Sequence, residues 1–340
     1  MNDRFLRACR GEVSDTVPVW FMRQAGRYQP EYRALRQRYR ILDLVEDPEL
    51  CCQVTALPVE QLGVDAAILF SDIMVPLGPL GIDYQIKAGI GPVLARPLRR
   101  MADLEELRAL NPAHDLPYVG EAIGKICRRL DVPLIGFAGG PFTLASYLIE
   151  GGPSRQYQET KRILWSEPAL WQRLMEILSD MVITYAGMQV AAGAHCVQLF
   201  DSWAGSLSLS DFHRRVLPYL EKIFTALAAL RVPRIYFAVG AGHLLEAVAT
   251  LPVEVISVDW REPLSQVRRR VGGKALQGNL DPVILTASSS VIEGEARAVL
   301  EQGQGGAHIF NLGHGVLPTT EVQALRHLVE VVHQEGTMVG

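Results

Sequence analysis

Short apolar runs alternate with longer amphipathic stretches along the chain. The apolar runs are Val17–Phe21, Ala66–Phe70, Leu134–Ala138, Cys196–Phe200, Arg234–Val239, Val255–Asp259, Ala275–Gly278 and His308–Asn311. Most lack polar alternation, which is the pattern of strands buried on both faces. Helical spacing fills the intervals at Asp47–Leu62, Tyr118–Leu130, Glu167–Ala192, Ser210–Leu230, His243–Leu251, Pro263–Val271, Ser289–Gln302 and Thr320–Gln334. Asp47-Pro48-Glu49 opens the first with a helix-start signal. Strand and helix alternating eight times predict a parallel α/β sheet, and eight units favour closure into a single (β/α)8 TIM barrel. The Gly- and Pro-rich stretch Pro76–Pro97 departs from the alternation and reads as a hairpin-like insertion. No linker, repeat or low-complexity tract divides the chain, so one domain over residues 1–340 is expected. No GxGxxG follows the first strand, and a dinucleotide fold has no support.

Composition narrows the class. With 340 residues, 49% hydrophobic and 21% charged, the chain is of ordinary globular type. The charge-free runs Val132–Ile149 and Met181–Phe200 each read as a buried strand joined to a helix, not as a membrane span. The N-terminus has no apolar targeting segment. Five cysteines without a CxxC suggest neither a disulfide framework nor a zinc ribbon, and a reduced cytoplasmic setting is expected. Net charge is −4, yet residues 1–40 carry nine arginines against four acids. Over the whole chain Arg outnumbers Lys 28 to 5. Guanidinium forks suit carboxylate or phosphate capture. The overall acidic balance argues against nucleic acid.

In such a barrel the chemistry sits where strands end and loops begin. Reading those ends in order gives Arg23, Gln24, Ala25, Gly26 and Arg27, then Ser71-Asp72, then Gly139 to Tyr147, then Asp201-Ser202-Trp203, then Gly240 to His243, Asp259-Trp260 and Gln277 to Asp281, and finally Asn311 to Gly315 around His314. Each residue has a plain structural alternative. Arg23 and Arg27 are either ligand-binding cations or halves of ion pairs. Asp72 is a site carboxylate or a cap for the next segment, Tyr147 a site or core residue, and Ser202 a site residue or helix cap. His314 lies between two glycines, as expected of a loop shaped around its ring. His195 sits at the opposite strand end and reads as structural. No HExxH, HxC, GxSxG or Walker-type loop is present. This inventory suits a polyanionic organic substrate and chemistry without metal or organic cofactor.

Longer motifs add a family resemblance. The run from Pro18 to Arg27, PVWFMRQAGR, resembles the N-terminal signature of the uroporphyrinogen decarboxylase family, and Gly136 to Gly151 resembles its second signature. Ile68–Ile73, Gln198–Ser202, Leu276–Pro282 and Asn311–Gly315 are further matches, so the resemblance runs from about Arg4 to Val332. It implies a (β/α)8 barrel, a homodimer, and cofactor-independent conversion of the four acetates of uroporphyrinogen III to methyls, giving coproporphyrinogen III for heme synthesis. Carried over by position, it implies catalytic roles for Asp72, Arg23, Tyr147 and His314. Substrate contacts are implied for these residues and for Gln24, Ala25, Gly26, Arg27, Ser202 and Arg36, with Phe137 and Phe200 as apolar walls. Gly140 stands where Ala is more usual, and Ala238–Gly242 falls in a variable part of the pattern. Two rival readings are weighed. A corrinoid-type methyltransferase of the same superfamily would need a zinc-binding HxC and a late Cys, which this chain lacks. A non-catalytic tetrapyrrole-binding protein would not need Asp72 and Tyr147 together.

Overall fold

The computed structural model describes residues 1–12, 14–87 and 89–337. Residue 88 of the expected insertion and residues 338–340 of the expected domain lie outside the described residues. Seven strands form one parallel sheet in chain order: β1 (Ala67–Ile68), β4 (Leu134–Gly139), β5 (Cys196–Phe200), β6 (Arg234–Phe237), β7 (Val255–Ser257), β8 (Ala275–Leu280) and β9 (His308–Leu312). β2 (Tyr84–Lys87) and β3 (Gly91–Leu94) pair antiparallel in a separate hairpin within the Gly/Pro-rich segment. The registers Phe137↔Gln198, Gln198↔Ile235, Ile235↔Val255 and Val255↔Ala275 run through successive pairs. Every residue of β4, β8 and β9 is buried, including the polar Gln277, Asn279, His308 and Asn311, so neither face of these strands meets solvent.

The sheet is curled. Trp20 Nε1 donates to Gln277 Oε1 of β8 (3.0 Å), and Gln277 Nε2 reaches Gln198 of β5 (3.1 Å) and Ser257 of β7 (3.0 Å). Side chains of strands that are not neighbours in the sheet meet inside it only because it rolls inward.

The expected first strand, Val17–Phe21, is not one of the seven. It forms a single parallel bridge, Val19 with Phe310 of β9. Pro18 has no N–H to give a ladder. The N–H of Val19 goes to the Asp65 carboxylate (2.9 Å) instead of a backbone carbonyl. The segment still bonds on both sides: Phe310 N to Pro18 O (2.8 Å), and Asp65 N to Val19 O (2.8 Å).

Helices cover the outside: α1 (Pro48–Leu62), α2 (Pro117–Arg129), α3 (Pro141–Glu150), α4 (Pro168–Ala191), α5 (Leu217–Leu227), α6 (Leu245–Ala249), α7 (Leu264–Val271), α8 (Ser289–Gly303) and α9 (Val322–Glu335). The helix expected over Ser210–Leu230 is broken into Leu209–Arg215 and α5. Pro218 cannot donate into a continuous ladder and opposes the carbonyl a turn earlier. Pro30–Arg38 and Gln158–Ser166 are helices that the apolar spacing does not announce.

Polar groups lock the face opposite the functional loops. Asp65 is 1% exposed and accepts from Asn2 Nδ2 (2.9 Å), Arg4 Nη1 (3.3 Å) and Val19 N, with His333 Nε2 of α9 at 2.8 Å. Burial alone would raise its pKa. The bonds from His333, Val19 and Asn2 outweigh this and hold it below the ordinary carboxylate range. A depressed native pKa stabilises the fold above the unfolded value near 4, and that share is lost as pH falls through the native pKa. Asp65→Asn is expected to cost about 3 kcal/mol, read as a lowered Tm at pH 7 with the gap to the parent closing towards pH 3. A pH-independent gap would contradict this account. His195 also lies at this end: its Nδ1 accepts from Leu134 N (3.1 Å), a structural role.

Candidate active site

The loop after Val17–Phe21 is clamped from two directions. Met22 N donates to Asn311 Oδ1 (3.1 Å), and Val316 N to Met22 O (2.9 Å). Gln24 is 1% exposed, accepts from Phe21 N (3.1 Å), and donates to Ala66 O (3.1 Å). Gln24 therefore shapes the loop from within. Gly26 N donates to Gln29 Oε1 (3.0 Å), which tightens the turn beside half-buried Ala25. Held this way, Arg23 takes a left-handed conformation with φ 58°, uncommon for a side-chain-bearing residue. Its aliphatic stem lies against Gly315, where a Cβ would come within 2.7 Å of the Arg23 Cγ.

Arg23 and Arg27 are both exposed. Among the described residues, neither guanidinium is hydrogen-bonded or ion-paired, unlike Arg40, Arg96, Arg162 and Arg270 elsewhere on the surface. The ion-pair alternative for these two is thereby removed. Arg36 sits on the Pro30–Arg38 helix, half-buried, with one guanidinium nitrogen on Tyr39 O.

Asp72 follows β1. Its Oδ1 accepts from Met74 N (2.9 Å), so it does cap the short turn that follows, which leaves Oδ2 for another partner. Burial raises its pKa, while the Met74 N–H and the Arg23 cation pull the other way. Tyr147 stands on α3 and stacks on Trp203, ring centroids 4.1 Å apart. Burial pushes its phenol up to about 12, with the Asp72 charge adding and the Arg23 cation opposing. Arg23, Asp72 and Tyr147 thus share one electrostatic neighbourhood. Ser202 is half-buried beside Trp203; the adjoining short helix Ala204–Ser206 has no side-chain cap, so the capping alternative for Ser202 fails.

His314 Nδ1 accepts from Gly315 N (2.7 Å), which leaves the proton on Nε2. Burial and then the Arg23 cation lower its pKa to about 4, so the ring is neutral at pH 7. Phe137 meets Phe200 edge-on (5.5 Å), Phe200 meets Phe237 (5.9 Å), and Phe237 lies 6.3 Å from the His314 ring. An aromatic wall thus runs from β4 across β5 and β6 to the loop after β9.

Three neighbours were not singled out from sequence. Phe237 shares the inward parity of β6 with Ile235, a period-two signal that was available. Trp203 was visible only as the residue after Ser202. Arg261 lies over Trp260 (4.4 Å), binds Asp259 (2.7 Å) and acts on His314 through space; its place directly after the strand end Asp259-Trp260 was the available signal.

A sequence model described as uroporphyrinogen decarboxylase (URO-D) matches residues 1–335. The chain belongs to the uroporphyrinogen decarboxylase family. It is 51% identical over 334 residues to a uroporphyrinogen decarboxylase of Geobacillus sp. (strain WCH70), covering 98% of this chain and 97% of that one. A Bacillus pumilus (strain SAFR-032) relative of the same name is also 51% identical, with 98% and 95% covered. Membership makes the chain an enzyme, a decarboxylase of porphyrin and heme biosynthesis. Among solved structures, a methyltransferase from Methanosarcina mazei aligns with TM-score 0.77 over 98% of both chains at 22% identity, a likeness of fold alone. No helix among the described residues is long and apolar enough to cross a membrane. No group of three or more His, Cys, Asp or Glu among them is placed to hold a metal.

Proposed function

We propose that this mouth binds uroporphyrinogen III and converts its four acetates to methyls, giving coproporphyrinogen III. The observation that carries the reading is a pair of exposed arginines, unpartnered among the described residues, on the same rim as a half-buried carboxylate whose Oδ2 is left free. Arg23 and Arg27 would capture substrate carboxylates, where a planar fork binds two oxygens at once. The Phe137–Phe200–Phe237 wall would support the macrocycle, and Tyr147, Ser202 and the Nε2–H of His314 would donate to its polar edge.

The reaction needs an electron sink. Protonation of the pyrrole α-carbon next to the carbon that bears the acetate makes the ring an iminium-like acceptor conjugated to that side chain. The C–C bond to the carboxylate then breaks, CO2 leaves, and its electron pair neutralises the ring nitrogen, leaving an exocyclic methylene. A second proton on that methylene carbon, with loss of the ring proton, restores the pyrrole and yields the methyl. The free Oδ2 of Asp72 would accept pyrrole N–H groups and stabilise the positive charge that develops. A neutral His314 is a donor here, not the acid. In this scheme the pyrrole supplies what an organic cofactor otherwise would.

Closure by Val17–Phe21 would make the sheet an eight-stranded barrel in a single domain, the cytoplasmic enzyme acting as a homodimer. Purified protein incubated with uroporphyrinogen alone, anaerobically and after chelator dialysis, is expected to form coproporphyrinogen by chromatography. Activity lost to chelator and restored by zinc would overturn the scheme.

A further inference from the structure

Asp201 follows β5 and is fully buried. Its N–H extends the strand ladder to Phe237 O (2.8 Å). Its Oδ1 accepts from both the N–H (2.8 Å) and the hydroxyl (2.7 Å) of Thr143, and Oδ2 accepts from Tyr236 OH (3.3 Å). The Thr143 hydroxyl in turn accepts from Trp203 N (3.1 Å). One chain of bonds therefore runs from β6 through Asp201 and Thr143 to the loop that carries Ser202 and Trp203.

The geometry of α3 gives this chain its purpose. The residue at its N-cap position is Gly140, which has no capping side chain. The orphan N–H of Thr143 is satisfied instead by a carboxylate of the next strand–helix unit. Gly140 leaves the room this requires: a Cβ there would lie 2.8 Å from the Asp201 Cα and closer still to its side chain. Tyr147 stands four residues after Thr143, on the same helix face, with its ring against Trp203. The far end of α3 is tied separately, by Leu98 N to Leu148 O (2.8 Å) and Leu94 N to Gly151 O (2.9 Å). Beside the backbone bond from Gly140 N to Phe200 O (2.8 Å), the Asp201 clamp joins the start of α3 to the Ser202 loop through side chains.

We propose that Asp201, acting through Thr143, is a positioning residue that fixes the spacing between Tyr147 and Ser202 across the substrate cleft. It touches no substrate itself. The inference rests on the reading that Tyr147 and Ser202 face the substrate. Burial raises the Asp201 pKa to about 6 despite the bonds from Thr143 and Tyr236 that lower it, so the group is costly to keep where it is. A purely structural cap at an exposed helix start would carry no such burial.

The decisive variant is Thr143→Val. It keeps shape and the backbone N–H bond but removes the hydroxyl that joins Asp201 to Trp203. Expected results are a kcat on uroporphyrinogen about 10- to 100-fold lower, a smaller change in KM, and an altered near-UV dichroism signal from the Tyr147–Trp203 stack. Thr143→Ser restores the hydroxyl and should recover most of the rate. Asp201→Asn keeps the Oδ1 acceptor and should retain far more activity than Asp201→Ala. If Asp201→Ala does not fold, the Thr143 pair still decides. Tyr147→Phe and Ser202→Ala separate the two layers of the argument. If they lose activity while Thr143→Val keeps the parent kcat, the positioning role alone is overturned. If both keep parent kinetics, the site reading fails and the proposal falls with it.

Discussion

Asp72→Asn is expected to lower kcat on uroporphyrinogen by about 10²–10³, the size typical of losing one preorganised electrostatic stabiliser. Asn keeps the volume and an oxygen to accept from Met74 N, so the turn that follows should survive and Tm should stay near the parent value. What disappears is the charge on the free oxygen. In the parent, the acid limb of kcat/KM should lie above the ordinary carboxylate value near 4, because burial raises the Asp72 pKa in the free enzyme and only the Met74 N–H and the Arg23 cation oppose it. Activity is then lost as pH falls through that raised value. The variant's residual activity should lack this limb. A well-folded Asp72→Asn protein with parent kcat would remove Asp72 from the mechanism.

Arg23→Lys and Arg27→Lys should each weaken kcat/KM by about 10- to 100-fold, the loss expected when a charge-assisted bidentate contact becomes a point charge. Neither guanidinium has a protein partner among the described residues, so neither change should move Tm by more than a degree or two. The two positions should differ in kind. Arg27 lies on the outer turn, and its loss should appear in KM. Arg23 acts on Asp72, Tyr147 and His314 together, so its loss should also lower kcat. Parent KM should rise with ionic strength, since attraction at an open rim is screened over about 10 Å at 0.1 M salt. Salt-independent KM in the parent, with unchanged KM in both variants, would show that the rim is not the anchor.

Gly315 offers a related test by geometry. An added methyl there meets the Arg23 stem, so Gly315→Ala should displace that side chain. It is expected to reproduce the Arg23→Lys loss while every charge stays in place.

Much of the architecture was legible in the chain. Short, mostly apolar runs marked β4, β5, β8 and β9, because strands buried on both faces need no solvent-facing polar set. The Gly/Pro-rich segment marked the hairpin because turn chemistry is local. Where prediction erred, a non-local partner decided. Val17–Phe21 has the composition of a strand, but the Asp65 carboxylate takes a backbone N–H that a ladder would need. Pro218 was visible in the sequence, yet whether it sits inside a helix or starts a new one depends on how α5 packs.

The candidate site divides the same way. Residue type and position at strand ends were enough to nominate Arg23, Arg27, Asp72, Tyr147, Ser202 and His314, because the end of a parallel strand is where a backbone leaves the sheet and its side chains meet solvent or ligand. The sequence could not show that Gln24 turns inward, that Arg23 and Arg27 stand unpaired among the described residues, that His314 is neutral, or that Asp201 caps a helix belonging to another unit. Each of these depends on which groups from distant parts of the chain fill the space around a side chain. Patterning determines which face of an element is buried, since that follows from periodicity within a few residues. Protonation, pairing and spacing follow from burial and from charges that folding brings together, and those exist only in the assembled structure.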